Sequence, residues 1–238
     1  MAFFIIFNEP KLLIIETATE ACSCALIKDG QVLINKEDHI GRTHSSSLGI
    51  FVSEILEFVR ENKLKLNAIV ISSGPGSYTG LRIGVSEAKG LSYGLDIPLI
   101  AIPTPKIMAW IVKNQVESNA LLCPMIDARR MEVYSTFYDS SLNVVRETAA
   151  DIVNQNSFAN LLNDHQIVFF GNGAEKCKKE LTHHNAQFLS NIIPLASAMY
   201  ALGNEALEKK VFVDVAYFEP FYLKEFVATV AKNKLFNV

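Results

Sequence analysis

The order of apolar and polar positions divides the chain into short strands and longer helices. Leu12 to Glu16 is an apolar run bounded by the polar turn Thr17-Ala18-Thr19-Glu20, and it reads as a central strand. Cys22 to Lys28 is the next strand. Asp29-Gly30 is a hairpin dipeptide that tolerates positive φ, and Gln31 to Lys36 returns, so three strands in a meander open the chain. Ser45 to Glu61 has helical spacing, with Ser45 or Ser46 placed to cap it. Leu66 to Ser72 is again a buried strand. It runs into a glycine turn and a helix from Thr79 to Leu95, with Leu81, Val85, Ala88, Leu91 and Leu95 along one face. Ile97 to Ile102 is a further strand, Pro103 and Pro105 stop it, and Lys106 to Glu117 is helical.

From Leu121 the pattern starts again. Leu121 to Ile126 is apolar and ends in Asp127-Ala128-Arg129-Arg130. Glu132 to Tyr138 alternates, Asp139 to Asn143 turns, and Val144-Val145 begins the return. A short helix, Ser157 to Leu162, precedes Ile167 to Phe170. That strand enters a second glycine turn, Gly171-Asn172-Gly173-Ala174, and a helix beginning near Glu175. The two series follow one plan, split near residue 118: an N-terminal half over 1–117, a C-terminal half over 118–215, and a terminal segment, 216–238, that packs back on the first half. Pro194 to Lys210 reads as one helix with Ala196, Met199, Tyr200, Gly203 and Leu207 inward. The fold class is α/β.

The first glycine turn, Gly74-Pro75-Gly76-Ser77-Tyr78-Thr79-Gly80, sits between a strand and a helix, where first-turn amides form an anion site and Ser77 or Thr79 can cap. It matches none of the familiar phosphate or nucleophile motifs. Gly74 and Gly80 enclose five residues, and Leu81 stands where a phosphate loop needs lysine. Thr79 replaces the third glycine of the dinucleotide fingerprint, and Ser77 falls one place early for a nucleophile elbow.

Two helices of the first half carry more than a simple core stripe. Ile50, Phe51 and Phe58 widen the apolar face of Ser45 to Glu61, which suits burial on two sides or a protein interface. Gly80, Gly84, Gly90 and Gly94 stud the helix Thr79 to Leu95 at up to about 1 kcal/mol each against alanine. Close approach of a second helix or a ligand would offset that cost.

Composition narrows the chemistry. Half of the 238 residues are hydrophobic and the net charge is −3, which argues against a surface that grips nucleic acid by itself. The four cysteines lack metal-ligand spacing and read as buried reduced thiols, in keeping with a cytoplasmic protein. Met1 to Phe7 is apolar but too short for a membrane span and has no basic leader. No His-x-x-x-His pair occurs among the five histidines. Glu16 and Asp127 end the first strand of each half. Either they meet across a cleft as a place for magnesium and a nucleotide, or each caps its own turn. Gly171 and Gly173 would complete such a site, and Arg82, Arg129 and Arg130 are the cations able to face an anion.

The duplicated plan looks like the actin/hexokinase nucleotide-binding class, a duplicated ribonuclease H-like (ASKHA) fold of two subdomains. Within it, Ile14-Ile15-Glu16-Thr17-Ala18-Thr19-Glu20-Ala21-Cys22-Ser23, the stretch Gly74 to Gly84, Ile126-Asp127-Ala128-Arg129, Gly171-Asn172-Gly173-Ala174 and Pro220-Phe221-Tyr222-Leu223-Lys224 resemble the bacterial TsaB (YeaZ) family in order along the chain from Leu12. Older labels call that family glycoprotease-like. The resemblance implies a subunit of the machinery that builds N6-threonylcarbamoyladenosine in tRNA. It implies pairing with a TsaD-type paralogue that carries the metal and the chemistry, joined by a TsaE-type ATPase. It also implies a homodimer when alone, contact with tRNA through the complex, no membrane, and no cofactor of its own beyond ATP or ADP with magnesium at a composite site. The implied interface lies on the helices of the first half, at Ser46, Ile50, Phe51, Gly80, Gly84 and Glu87. Catalytic relatives carry His-x-x-x-His after the strand that here is Pro98 to Ile102, whereas this chain reads Pro103-Thr104-Pro105-Lys106-Ile107-Met108. Glu16 stands where many relatives are similar with Asp. The alternative is an active enzyme of the same fold, a nucleotide-dependent transferase or a glycoprotease-like peptidase.

Overall fold

The computed structural model describes residues 9–41 and 43–223. The readings of Met1 to Phe7, of Lys224 and of the tail from Glu225 lie outside the described residues. Two five-stranded sheets repeat one topology. In the first, β1 (Lys11–Glu16), β2 (Cys22–Lys28), β3 (Gln31–Asp38), β4 (Ala68–Ser72) and β5 (Leu99–Ile102) lie in the order β3-β2-β1-β4-β5. In the second, β6 (Leu121–Asp127), β7 (Glu132–Tyr138), β8 (Val144–Ile152), β9 (Ile167–Phe170) and β10 (Ala186–Leu189) lie in the order β10-β9-β6-β7-β8. Read from the meander side, both sheets have the same strand sequence: three antiparallel strands, then two parallel to the first. This is the duplicated actin-like, ribonuclease H-like architecture.

Strand β1 is the axis of the first half. It pairs antiparallel with β2 and parallel with β4, from Leu12 opposite Ala68 to Ile15 opposite Ile71. Its residues alternate between two cores, so both faces are buried and the strand reads as continuously apolar. Leu13 and Ile15 face α1 (His44–Glu61) and α2 (Tyr78–Leu95). Leu12 and Ile14 face the 3-10 turn Ala196–Met199 and α6 (Tyr200–Glu208). The segment 196–208 therefore belongs to the core of the first sheet, although it follows the second in sequence. This corrects the assignment of 118–215 to a single half: the boundary near 118 separates sheets, not cores. The second sheet has an aromatic core, with Phe169 5.3 Å from Phe188 and 6.5 Å from Phe137 between ring centroids. Helix α3 (Thr104–Val112) joins the halves, with Ile107 in a core of the first sheet and Met108 against the second.

Several boundaries differ from expectation for physical reasons. Pro103 and Pro105 open α3 instead of only ending the strand, since a first helical turn has no partner for the missing N–H. Helix α1 starts at His44 with Thr43 at its N-cap and no side-chain cap bond. The expected cap hydroxyls turn elsewhere: Ser46 Oγ donates to Thr43 O, at 2.9 Å. In α2 the cap is Ser77, whose Oγ accepts from Gly80 N at 3.2 Å. The short helix after β8 is α4 (Ala159–Asp164), the helix near Glu175 is one turn, α5 (Ala174–Cys177), and β10 has little strand signal because only Phe188 and Leu189 carry one.

Candidate functional site

In the first half the glycine turn after β4 lies against the turn after β1, and in the second the glycine turn after β9 lies against the end of β6 itself. Ser77 N donates to Ala18 O at 2.7 Å, and Gly173 N donates to Met125 O at 3.0 Å. The glycines are there for contact with the chain itself. A Cβ at Gly80 would strike the Thr17 carbonyl oxygen, and one at Gly84 would strike Thr17 Oγ1. This corrects their assignment to an outer interface: the missing side chains make room for the β1–β2 turn, not for a second helix. Gly90 and Gly94 have no atom within 4 Å of the place their Cβ would take. In the second half, a Cβ at Gly171 would meet Met108 and the Met125 carbonyl, and one at Gly173 would come within 2.9 Å of Ile126.

Between the halves lies a cleft of about 980 Å³. The first half lines it with the β1–β2 turn, the N-termini of α1 and α2, and Ile83. The second half contributes Ile126 to Arg129, Glu132, Tyr134 and Asn172. Among the described residues, its walls carry the carboxylates of Glu20, Asp127 and Glu132 and the guanidinium of Arg129. Two of the amides at the α2 end are already engaged: Ser77 N with Ala18 O, and Gly80 N with Ser77 Oγ. Arg82, expected to face an anion, lies along Tyr78, with Nη1 3.3 Å from the phenol oxygen. Arg130 is exposed.

The two strand-end acids do not meet as a pair across this cleft. Glu16 is fully buried and does not line it. Its Oε1 accepts from Ala18 N at 2.6 Å, and its Oε2 has no hydrogen-bond partner. Burial pushes its carboxyl up from 4.5 to about 7, against the opposing pull of the Ala18 amide. Asp127 does reach the cleft. Its Oδ1 accepts from Arg129 N at 3.0 Å and is ion-paired with Lys176, whose ammonium also donates to Glu132 O at 2.6 Å. Each acid thus accepts the amide two residues on, as a turn cap does. Among the described residues, no group of three or more His, Cys, Asp and Glu side chains is placed to hold a metal ion. All four cysteines are free and buried.

Sequence reasoning missed His44. It is buried at the start of α1, with Nε2 3.0 Å from Thr19 O, and so fastens that helix to the β1–β2 turn. Its position four residues before Leu48, in step with the buried stripe of α1, was the available signal. Of the positions expected at a partner surface, Ser46 and Ile50 are exposed, Ile50 at 58 %, while Phe51 and Glu87 are half-buried. Phe51 packs against the core of the first half.

Comparison with known proteins accounts for this architecture. The family model described as "TsaD: tRNA N6-adenosine threonylcarbamoyltransferase" matches residues 37–232. The tRNA threonylcarbamoyladenosine biosynthesis protein TsaB of Escherichia coli K12 is 38 % identical over 133 residues, 56 % of this chain and 57 % of that protein. The TsaB of Bacillus subtilis 168 is 31 % identical over 140 residues, 59 % of this chain and 60 % of that protein. In these matches the chain spans less than two thirds of the relatives' own length. A crystal structure of a Pseudomonas aeruginosa protein with similarity to peptidase YEAZ superposes with a TM-score of 0.76 at 24 % identity, covering 90 % of this chain and all of that one, and shows the same fold. The chain belongs to the family that the TsaD model describes, and within it to the TsaB/YeaZ proteins.

Proposed function

We propose that this chain is a non-catalytic subunit of the machinery that makes N6-threonylcarbamoyladenosine in tRNA. It pairs with a TsaD-type paralogue through α1 and α2, works alongside a TsaE-type ATPase, and meets tRNA only through the assembly. The observation that carries this reading is that both strand-end carboxylates are committed within the chain. Glu16 is sealed under the sheet, and Asp127 is neutralised by Lys176. A magnesium–nucleotide pair needs such carboxylates free, and it needs cations along the phosphates. Among the described residues, the cleft walls instead carry more acid than base. The segment where catalytic relatives carry histidines is spent on packing: Thr104, Ile107 and Met108 are buried at the junction of the halves.

A pairing surface is supported by the outer side of the same helices. Ile50 is exposed on α1 beside Ser46 and Gly49. On α2, Gly90 and Gly94 leave the backbone bare next to Tyr93, which is 85 % exposed. Small residues around a few large apolar ones let another helix pair approach closely. Alone, the chain self-associates through this face, and the paralogue displaces the second copy.

The test is Ile50→Glu. Ile50 is not part of a core, so stability changes by no more than about 0.5 kcal/mol. The variant remains folded, is monomeric, and no longer co-purifies with the TsaD-type paralogue. A folded variant that still pairs refutes the proposed face. Gly84→Glu does not serve for this, because it would break the contact with Thr17 first. A second reading, an active transferase or peptidase, is favoured by one observation, the volume of the cleft. Calorimetry of the chain alone with ATP and magnesium separates the two, since micromolar binding with turnover supports the enzyme.

A further inference from the structure

Beyond α6 the chain crosses to the first sheet. Val213 N donates to Leu99 O at 3.0 Å, which adds one antiparallel bridge to the edge strand β5. Lys89, in the middle of α2, donates through Nζ to the carbonyl oxygens of Ala216 at 3.2 Å and Phe218 at 2.9 Å. The Phe218 side chain packs into the core beneath α1 and α2. Past Glu219-Pro220 the segment reaches the first glycine turn. Phe221 N donates to Ser73 O at 2.7 Å. Phe221 O lies 3.0 Å from where a Cβ on Gly74 would stand, and Gly74 has φ +94, a backbone region that favours glycine. The Tyr222 ring is 4.8 Å from that of Tyr78, the first residue of α2 and a wall of the cleft.

The glycine turn is therefore held from several sides, and at its base Thr104 N donates to Gly74 O at 3.0 Å. The Ala18 carbonyl holds it from within, and Phe221 and Tyr222 hold it from without. The inner contact joins the two turns that leave the buried, paired strands β1 and β4. Among the described residues, the outer one rests on a single backbone hydrogen bond and a ring pair, and Phe221 is 47 % exposed. Regions with few buried contacts open at low free energy while the rest of a domain stays folded. We propose that residues 218–222 form a latch. Closed, it fixes the Gly74–Gly76 turn and the first turn of α2, and with them the first-half wall of the cleft. Open, it pivots at Glu219-Pro220 about the Phe218 anchor and frees that wall without unfolding either sheet. The geometry of the cleft then depends on whatever binds or displaces this short segment. Nothing in this inference depends on the proposed partner.

Hydrogen exchange by mass spectrometry on the full chain tests it. Tyr222→Ala removes the ring pair and accelerates exchange of the Ser77, Gly80 and Leu81 amides about three- to tenfold, the scale of one lost aromatic pair. Tyr222→Phe retains the ring and exchanges like the unchanged protein. Lys89→Met releases the segment upstream without touching Tyr78 and gives the same local acceleration as Tyr222→Ala. Amides of Ile167 to Phe170 in the second sheet stay unchanged in all three. Equal exchange at Ser77 to Leu81 in Tyr222→Ala and the unchanged protein overturns the latch. So does a matching acceleration at Ile167 to Phe170, which would mean that the whole chain had loosened.

Discussion

Replacing Glu16 with glutamine should make the protein more stable above neutral pH, and the size of the effect follows from its burial. The carboxyl is wholly enclosed, one oxygen holds the Ala18 amide, and the other has no partner. Burial raises its pKa from 4.5 in the ordinary range to about 7 in the fold. Between those values the folded chain keeps a proton that the unfolded chain has released, so stability falls as pH rises through this window. At about 1.4 kcal/mol per pH unit, the whole loss is about 3 kcal/mol, complete above the folded pKa and absent below the unfolded one. Glutamine keeps an oxygen for the Ala18 amide and cannot ionise. Urea denaturation at pH 5, 6, 7 and 8 reads the result as the difference between Glu16→Gln and the unchanged protein, so titrations elsewhere cancel. The two should lie within about 1 kcal/mol at pH 5. At pH 8 the variant should be ahead by about 2–3 kcal/mol. A difference that stays constant from pH 5 to 8 would show that Glu16 titrates like an exposed carboxylate, and that the sealed site is wrong.

Further substitutions probe the turn that the first half is built around. Ser77→Ala removes the α2 cap and should cost about 1 kcal/mol, seen as a lower urea midpoint with an unchanged slope. Gly84→Ala has a sign that decides between two accounts: helix propensity alone would stabilise by about 1 kcal/mol, whereas the clash with Thr17 Oγ1 should destabilise by about 1–3 kcal/mol. A higher melting temperature in Gly84→Ala would mean that the Thr17 contact is not close.

What the sequence revealed and what it hid have the same origin. Leu12 to Glu16 was legible as a continuous apolar run bounded by turn residues, Glu132 to Tyr138 by its period of two, and the Asp29-Gly30 turn marks its hairpin. The repeat of the plan from Leu121 gave the duplicated fold. The cover over each face was not legible. Nothing local in Ala196 to Leu207 says that this segment returns to lie on Leu12 and Ile14 of the first sheet. The same gap explains Glu16. Its parity with Leu12 and Ile14 places it on their face, and that face is covered by Ile107 of α3 as well as by the returning segment. Of the α2 glycines, Gly80 and Gly84 have the close neighbour that offsets their cost, and Gly90 and Gly94 have none within 4 Å. The beneficiary at Gly80 and Gly84 was the turn at Thr17, a contact across sixty-odd residues that spacing along one helix does not encode.

The central claim is that this chain contributes a surface and not a reaction. Its most direct test is tRNA modification reconstituted with the TsaD-type paralogue and the ATPase, comparing the unchanged chain, Ile50→Glu, and the double variant Glu16→Gln with Asp127→Asn. The account predicts that product formation needs this chain, is lost with Ile50→Glu, and is retained by the double variant, whose carboxylates only hold their own turns. Activity that survives Ile50→Glu but disappears in a folded, still-paired double variant would contradict it.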